Sequence, residues 1–108
     1  MIRYEVLWSE PAAADLHGIM DFVSSQSAQR AKRLWRVMQR RAESLASFPY
    51  RSRLVPELKG IGLDIYRELI ISPYRLLFRV KAKRVLVLGL FDGRRDLEDV
   101  LFERITRF

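Results

Sequence analysis

The chain has 108 residues, no cysteine and one histidine, and its 20 Lys and Arg residues against 13 Asp and Glu give a net charge of +7. This length fits one domain over residues 1–108 whose core needs no disulfide, and the composition excludes thiolate metal sites. We therefore expect no metal and no cofactor, while the positive charge, carried mainly by Arg, favours an anionic partner.

The first half of the chain predicts a strand followed by a helical hairpin. Apolar residues alternate with polar ones from Ile2 to Trp8, as in a half-buried strand. Ser9 or Glu10 is placed to cap a first helix, and Ser27 is placed to cap a second helix over residues 28–46. The apolar stripes of these helices, which we expect to face the core, are Ala12, Leu16, Ile19, Met20 and Val23 in the first, and Ala31, Leu34, Trp35, Met38, Ala42 and Leu45 in the second.

The second half predicts a loop, three strands and a short helix. Residues 51–63 contain Pro56, Gly60 and Gly62 and are predicted to be a loop. Strands follow at about 65–71, 74–80 and 85–91, and a partly docked helix follows Asp96. The order β-α-α-β-β-β-α predicts an α+β fold, a mostly antiparallel sheet with the N-terminal helical hairpin packed on one face.

Arginines are expected to converge at one end of the last two strands. In a hairpin the start of the first strand lies beside the end of the second, so Arg75 comes near Arg94 and Arg95. Such a cluster serves either as an anion-binding site or as a charged sheet edge that discourages edge pairing. The second helix carries a further basic face, which is either solvated or contacts an acidic partner or nucleic acid; this face consists of Arg33, Arg36 and Arg40, with Arg30 and Arg41 beside it.

This order of elements resembles the RelE/ParE superfamily of type II toxins, and the resemblance covers nearly the whole chain. It depends on the joint order and spacing of several motifs rather than on any one of them. The motifs are Ser9–Leu16, Leu45–Pro49, Val55–Leu58, Tyr66–Leu69, Tyr74–Val80 and Gly93–Leu97. The family implies a small toxin neutralised by a cognate antitoxin, and its members either cut mRNA on the ribosome or poison DNA gyrase.

The resemblance also implies site residues. Arg75 matches the strand arginine that RelE-like nucleases use near the scissile phosphate, and Arg95 matches the arginine beyond the last strand. Glu68, expected on the same sheet face as Arg75 and Arg79, is the candidate general base, and a salt bridge to one of these arginines is the alternative. The residues expected to bind the target are Arg67, Arg75, Arg79, Arg94 and Arg95.

Two departures from the ribonuclease pattern favour a ParE-like toxin. Leu101 and its neighbour Phe102 fall where ribonuclease members have a tyrosine, and Asp92 falls where many relatives have a histidine. Leu and Phe cannot transfer a proton, and Arg keeps its proton at any working pH. The first hypothesis is therefore a toxin that binds gyrase or a similar target, and the second is a ribosome-dependent, metal-independent mRNA endonuclease built on Arg75 and Arg95.

A third hypothesis is a basic nucleic-acid-binding module without toxicity. In each case we expect a cytoplasmic protein without a membrane partner, because the chain has no signal peptide and no membrane-spanning apolar run. Operator DNA is expected as a partner only through the antitoxin. If Arg75 is an exposed anion clamp, Arg75→Ala should reduce activity while leaving stability nearly unchanged.

Overall fold

The computed structural model describes residues 2–108 as one α+β unit. In chain order its helices and strands are β1 (Glu5–Trp8), α1 (Glu10–Gln26), α2 (Ala28–Glu43), β2 (Arg53–Leu54), α3 (Pro56–Lys59), β3 (Tyr66–Ile71), β4 (Tyr74–Lys81), β5 (Arg84–Asp92) and α4 (Glu98–Thr106). Single 3₁₀ turns at Ser44–Ala46 and Pro49–Arg51 connect α2 to β2. The N-terminal helical hairpin and the mostly antiparallel sheet are confirmed.

Side-chain caps set the beginnings of the two long helices. Ser9 Oγ accepts a hydrogen bond from Ala12 N at 3.2 Å, and Ser27 Oγ accepts one from Arg30 N at 3.2 Å. Each serine thereby satisfies a backbone N–H group that has no partner within its helix. Both caps are those that the sequence predicts, and they fix where α1 and α2 enter the packed structure.

The sheet has the strand order β1-β5-β4-β3-β2. β1 pairs parallel with β5, and the other pairs are antiparallel. Between β4 and β5 the register shifts at Leu77/Phe78, and Leu88 is the additional residue on β5. Such a bulge shifts the alternation of side chains by one residue. Odd-numbered and even-numbered residues of β5 therefore exchange sheet faces across the bulge.

Each face of the sheet packs against a different pair of helices. The first core lies between the sheet and the hairpin α1–α2, and Leu16, Met38 and Phe78 are among its buried residues. The second core lies on the opposite face, where α3 and α4 contribute Leu58 and Leu101. The C-terminal helix therefore closes the sheet face that the helical hairpin leaves open.

Four sequence-based expectations differ from the structure. The first strand begins at Glu5 rather than at Ile2, because its partner β5 begins at Arg84, opposite Glu5. Residues 51–63 are not a plain loop, because β2 extends the sheet with two residues and α3 forms a turn of helix. α2 ends at Glu43 rather than at residue 46, and the chain tightens into a 3₁₀ turn. Trp35 is 42% exposed instead of lying in the core, because α2 packs mainly through Met38 and Ala42.

Candidate functional site

The guanidinium of Arg75 is held by two carboxylates. Its Nη1 and Nη2 donate to the two Glu57 oxygens at 2.7 and 2.6 Å, and its Nε donates to Glu68 Oε1 at 2.7 Å. Arg53 Nε donates to Glu68 Oε2. These four residues, which we call the Arg75 network, contain two cations and two anions and therefore carry no net charge.

Three elements assemble this network. α3 presents Glu57 in its first turn, while β2 and β3 pair Arg53 with Glu68. On the β3–β4 pair, Glu68 and Arg75 occupy neighbouring positions of the same face. Glu68 shares the sheet face of Arg75, as the sequence predicts, and forms the salt bridge that was the alternative to a role as general base. It assigns no role to Glu57 or Arg53, because it treats their segment as a loop.

Hydrogen bonding favours the charged forms of Arg75 and Glu57, although burial opposes them. The Glu68 residue is 2% exposed and the Arg75 side chain 12%. The hydrogen bonds that Arg75 donates to Glu57, and then to Glu68, raise the pKa of Arg75, and the contact with Arg75 lowers the pKa of Glu57. The expectation that Arg75 is an exposed charge is wrong, because its side chain is largely buried and each of its three guanidinium nitrogens donates to Glu57 or Glu68.

The backbone places residues 93–95 beside the start of β4, as the hairpin register predicts. Tyr74 pairs with Asp92, and Gly93 N donates to Pro73 O at 2.8 Å. A Cβ added to Gly93 would lie 3.0 Å from the Arg75 side-chain carbons, so a glycine lets this loop contact the arginine stem. The guanidinium of Arg75 nevertheless points to Glu57 and Glu68 rather than joining the loop arginines.

Arg94 and Arg95, which we call the rim arginines, are exposed. Arg94 donates from Nε and Nη2 to the two Asp92 oxygens at 3.0 and 2.7 Å, yet its side chain is 73% exposed. This contact lowers the pKa of Asp92 to about 2. Among residues 2–108, no carboxylate lies within 4.0 Å of the Arg95 guanidinium. Arg95 thus retains its full capacity to bind an anion.

The rim arginines border an open cavity of about 420 Å³ between α1 and the end of β5. Phe22 and Tyr74 also line it, and the Phe22 residue is 64% exposed. Aromatic rings beside arginines are the combination that protein–protein interfaces enrich at their energetic centres. We call this surface, formed by Phe22, Tyr74 and the rim arginines, the rim site.

The two remaining arginines expected to bind the target lie elsewhere. Arg67 donates to Ser52 O at 2.7 Å, and its guanidinium lies 5.1 Å from the ring centroid of Tyr50. Arg79 shares the sheet face of Arg75 and is half-buried, and its Nε has no hydrogen-bond partner within the described part of the chain. The five predicted arginines are therefore distributed over three places rather than one.

Groups able to transfer protons are scarce around these arginines. Leu101 is buried in the second core and Phe102 is 48% exposed, so the position of the ribonuclease tyrosine carries no acid. Glu68 holds two arginines, and Asp92, with its pKa of about 2, remains ionised at neutral pH. His17 is exposed on α1 and lines a groove between the two long helices.

A second ion pair, which the sequence analysis missed, connects the two faces of the sheet. Arg104 of α4 donates to both oxygens of Asp15 of α1, at 2.6 and 3.1 Å, and to Leu88 O at 3.0 Å. Leu90 N donates to Asp15 Oδ2 at 3.0 Å. β1 pairs with β5 only as far as Val87, so these contacts satisfy backbone groups along the edge of β5 that β1 leaves unpaired.

Across residues 2–108, no three His, Asp or Glu side chains are grouped so that they could hold a metal ion. None of the helices in this part of the chain has the length and apolarity needed to cross a bilayer.

A family model described as the ParE toxin of the type II toxin–antitoxin system parDE matches residues 6–97. The matched region contains every strand and helix except α4, with both the Arg75 network and the rim site. The chain belongs to the ParE toxin family. This membership confirms the resemblance inferred from the motifs and makes the protein a toxin of a type II toxin–antitoxin system.

Two solved structures share the fold. A chain of the chromosomal ParDE toxin–antitoxin system from P. aeruginosa superposes with a TM-score of 0.67 at 22% identity, covering 83% of this chain and 96% of that one. A chain of the toxin–antitoxin complex RelBE2 from Mycobacterium tuberculosis gives 0.55 at 19% identity, covering 84% and 99%. No curated protein matches the sequence. At these identities the two structures support the RelE/ParE-like fold of this ParE-family chain.

Proposed function

We propose that this ParE-family toxin inhibits growth by binding DNA gyrase or a similar target protein, without doing chemistry itself. The observation that supports this most directly is the state of Arg75. In a RelE-like nuclease the matching arginine acts near the scissile phosphate, whereas here each of its three guanidinium nitrogens donates to Glu57 or Glu68. A phosphate would have to displace a bidentate carboxylate to reach it.

The scarcity of proton-transfer groups supports the same proposal. Cleavage of RNA by its 2′-hydroxyl needs a base, stabilisation of the pentacovalent phosphorane and an acid for the leaving oxygen. Glu68, the candidate base, is buried and accepts from two arginines. Leu101 and Phe102 supply no acid. We therefore assign Arg75 and Glu68 a structural role at this end of the sheet and not a catalytic one.

We further propose that the target binds at the rim site. Arg95 has an uncompensated charge, Arg94 is exposed despite its contact with Asp92, and Phe22 offers apolar surface next to them. A target segment that presents carboxylates beside an apolar side chain would complement this surface. Arg67 donates to Ser52 O and Arg79 is half-buried, and neither lines the rim cavity, so we assign both supporting roles in the sheet.

A cognate antitoxin completes the proposed system. The solved relatives are a ParDE system and a RelBE2 toxin–antitoxin complex, which supports an antitoxin partner for this chain as well. The net charge of +7 favours an antitoxin segment with acidic residues that becomes ordered on binding. In this proposal the antitoxin, and not the toxin, binds operator DNA.

The decisive experiment compares two activities of the purified toxin: inhibition of DNA supercoiling by gyrase and inhibition of cell-free translation. We expect loss of supercoiling with translation unaffected. The double variant Arg94→Ala/Arg95→Ala should raise the toxin concentration for half-inhibition at least about tenfold, as loss of an interface hot spot does. Arg33→Ala/Arg40→Ala removes the same charge from the exposed face of α2 and should shift it less than about twofold.

The outcomes separate the hypotheses. Loss of translation with supercoiling intact would overturn the gyrase proposal in favour of the nuclease built on Arg75 and Arg95. Inhibition of supercoiling that both double variants weaken equally would retain the target but reject the rim site. If neither activity changes and expression does not slow growth, the nucleic-acid-binding hypothesis gains.

A further inference from the structure

The β4–β5 turn forms a second basic surface at the end of the hairpin opposite to the rim site. β4 ends at Lys81 and β5 begins at Arg84, so two residues make the turn, and Ala82 takes the left-handed conformation with a φ of 55°. An open cavity of about 760 Å³ adjoins this turn. Its basic lining residues, which we call the turn cluster, are Arg3, Lys81, Lys83 and Arg84.

Carboxylates compensate this cluster only in part. Arg84 lies 3.6 Å from Glu5 and Arg3 lies 3.6 Å from Glu43, and all four side chains are mostly exposed. Exposed pairs at such distances hold the charges weakly. Within residues 2–108, neither lysine of the turn has a carboxylate within 4.0 Å. Four cations therefore line the cavity, two of them weakly paired with an acid, and all four remain available to a polyanion.

The turn cluster is separate from the rim site. β4 extends from Tyr74, which lines the rim cavity, to Lys81 of the turn. At roughly 3.3 Å per residue, seven steps along the strand put the two surfaces about 23 Å apart. This distance exceeds the screening length of about 8 Å at physiological ionic strength, so the two surfaces act independently.

The composition of the turn cluster points to phosphates rather than to a folded protein. Ala82 and Leu86 are the apolar residues in its lining, and among residues 2–108 no aromatic ring borders the cavity. Protein interfaces are depleted in lysine and enriched in aromatic residues, whereas backbone recognition of nucleic acids uses exposed Lys and Arg as sequence-independent charges. We propose that the turn cluster binds the phosphate backbone of nucleic acid, independently of the target bound at the rim site.

The test measures binding of a labelled 20-base-pair duplex by fluorescence anisotropy between 50 and 200 mM salt. The variant Lys81→Gln/Lys83→Gln removes two cations while keeping side chains of similar length. If both contact phosphates of a DNA duplex, the slope of log K against log salt should become shallower by about 1.8. Arg33→Gln/Arg40→Gln lowers the net charge equally on α2 and should leave the slope within the error of the measurement.

A duplex of RNA with the same sequence forms the second arm. Loss of slope in both arms assigns the cluster to phosphates in general, and loss in one arm identifies the nucleic acid as DNA or RNA. An unchanged slope in both arms, or an equal loss in the α2 control, overturns the proposal. Lys81→Arg/Lys83→Arg keeps the charge and should restore the slope, which excludes a folding defect. Inhibition of gyrase by the lysine variants tests the rim site separately and should remain as in the wild type.

Discussion

The Arg75 network and the rim arginines lie on adjoining parts of the backbone and both contain arginine, yet their physical roles differ. Arg75 lies on an inner position of β4, where Glu57 and Glu68 surround its guanidinium. Arg94 and Arg95 follow the end of β5 and extend into solvent. The comparison teaches that an arginine on a strand between covered faces stabilises the fold, whereas one in the adjoining loop remains available for binding.

The largest expected effect of a substitution is on stability, at Arg75. Arg75→Ala leaves the buried carboxylate of Glu68 with Arg53 as its remaining partner and removes the bidentate contact of Glu57. We expect the free energy of unfolding to fall by about 2–4 kcal/mol, because a buried charge loses its compensation. Urea denaturation followed by circular dichroism measures this change, with Arg94→Ala as the matched control.

The control should unfold at the same urea concentration as the wild type, because the Arg94–Asp92 contact is exposed and screened. A full-stability Arg75→Ala protein that has lost growth inhibition would reverse the assignment. Arg75 would then be the anion clamp that the sequence suggests, and the Arg75 network would be a resting arrangement opened by the ligand.

A smaller effect is expected from pH. The hydrogen bonds from Arg75 hold the pKa of Glu57 below its ordinary value of 4.5. Because this pKa is lowered on folding, the stabilisation is complete above pH 4.5 and is lost as the pH falls through the folded-state pKa. Unfolding midpoints of the wild type and of Glu57→Gln, measured from pH 7 to pH 2, should therefore differ most above pH 4.5 and converge in acid.

Adding salt to the same experiment should separate the exposed Arg94–Asp92 contact from the Arg75 network. Asp92 has its pKa lowered to about 2 by Arg94, but both groups are exposed, so its contribution should fade in 1 M NaCl. The Glu57 contribution should persist there, because its partner is largely buried. Equal salt sensitivity of Glu57→Gln and Asp92→Asn, each relative to the wild type, would remove the distinction between the two regions.

The smallest expected effect on stability is at Arg95. Arg95→Ala deletes an exposed side chain that has no ion pair in the described part of the chain, so its thermal unfolding midpoint should match that of the wild type. Growth inhibition by the same variant should nevertheless weaken. A lowered midpoint in differential scanning calorimetry would show that Arg95 supports the fold and would move it into the same class as Arg75.

The periodic parts of the chain could be predicted closely. The strands expected at 65–71, 74–80 and 85–91 are confirmed within one residue at each end, because their apolar residues and turn signals are local. The convergence of residues 93–95 on Arg75 also followed from hairpin register alone. β2 and α3 were missed, because two strand residues and one helical turn form only where tertiary packing supports them.

For the site, the sequence predicted which backbone segments lie side by side but not most of the side-chain contacts between them. That Glu68 would pair with an arginine followed from strand alternation, whereas the contribution of Glu57 required the position of α3, which local pattern does not give. Asp15 and Arg104 lie 89 residues apart, and nothing in the spacing of either residue signals their contact. Each of these ion pairs joins two elements that only the folded structure brings together.

The sequence by itself determined the order of elements, the caps of α1 and α2, the family and the hairpin that carries the arginines. These properties depend on near neighbours in the chain or on the pairing of adjacent strands. Only the tertiary structure decided which arginines are free, because the partners of Arg75 come from α3 and β3. The sequence shows which side chains are charged. Whether a carboxylate neutralises an arginine depends on which distant residues the fold brings within hydrogen-bond distance.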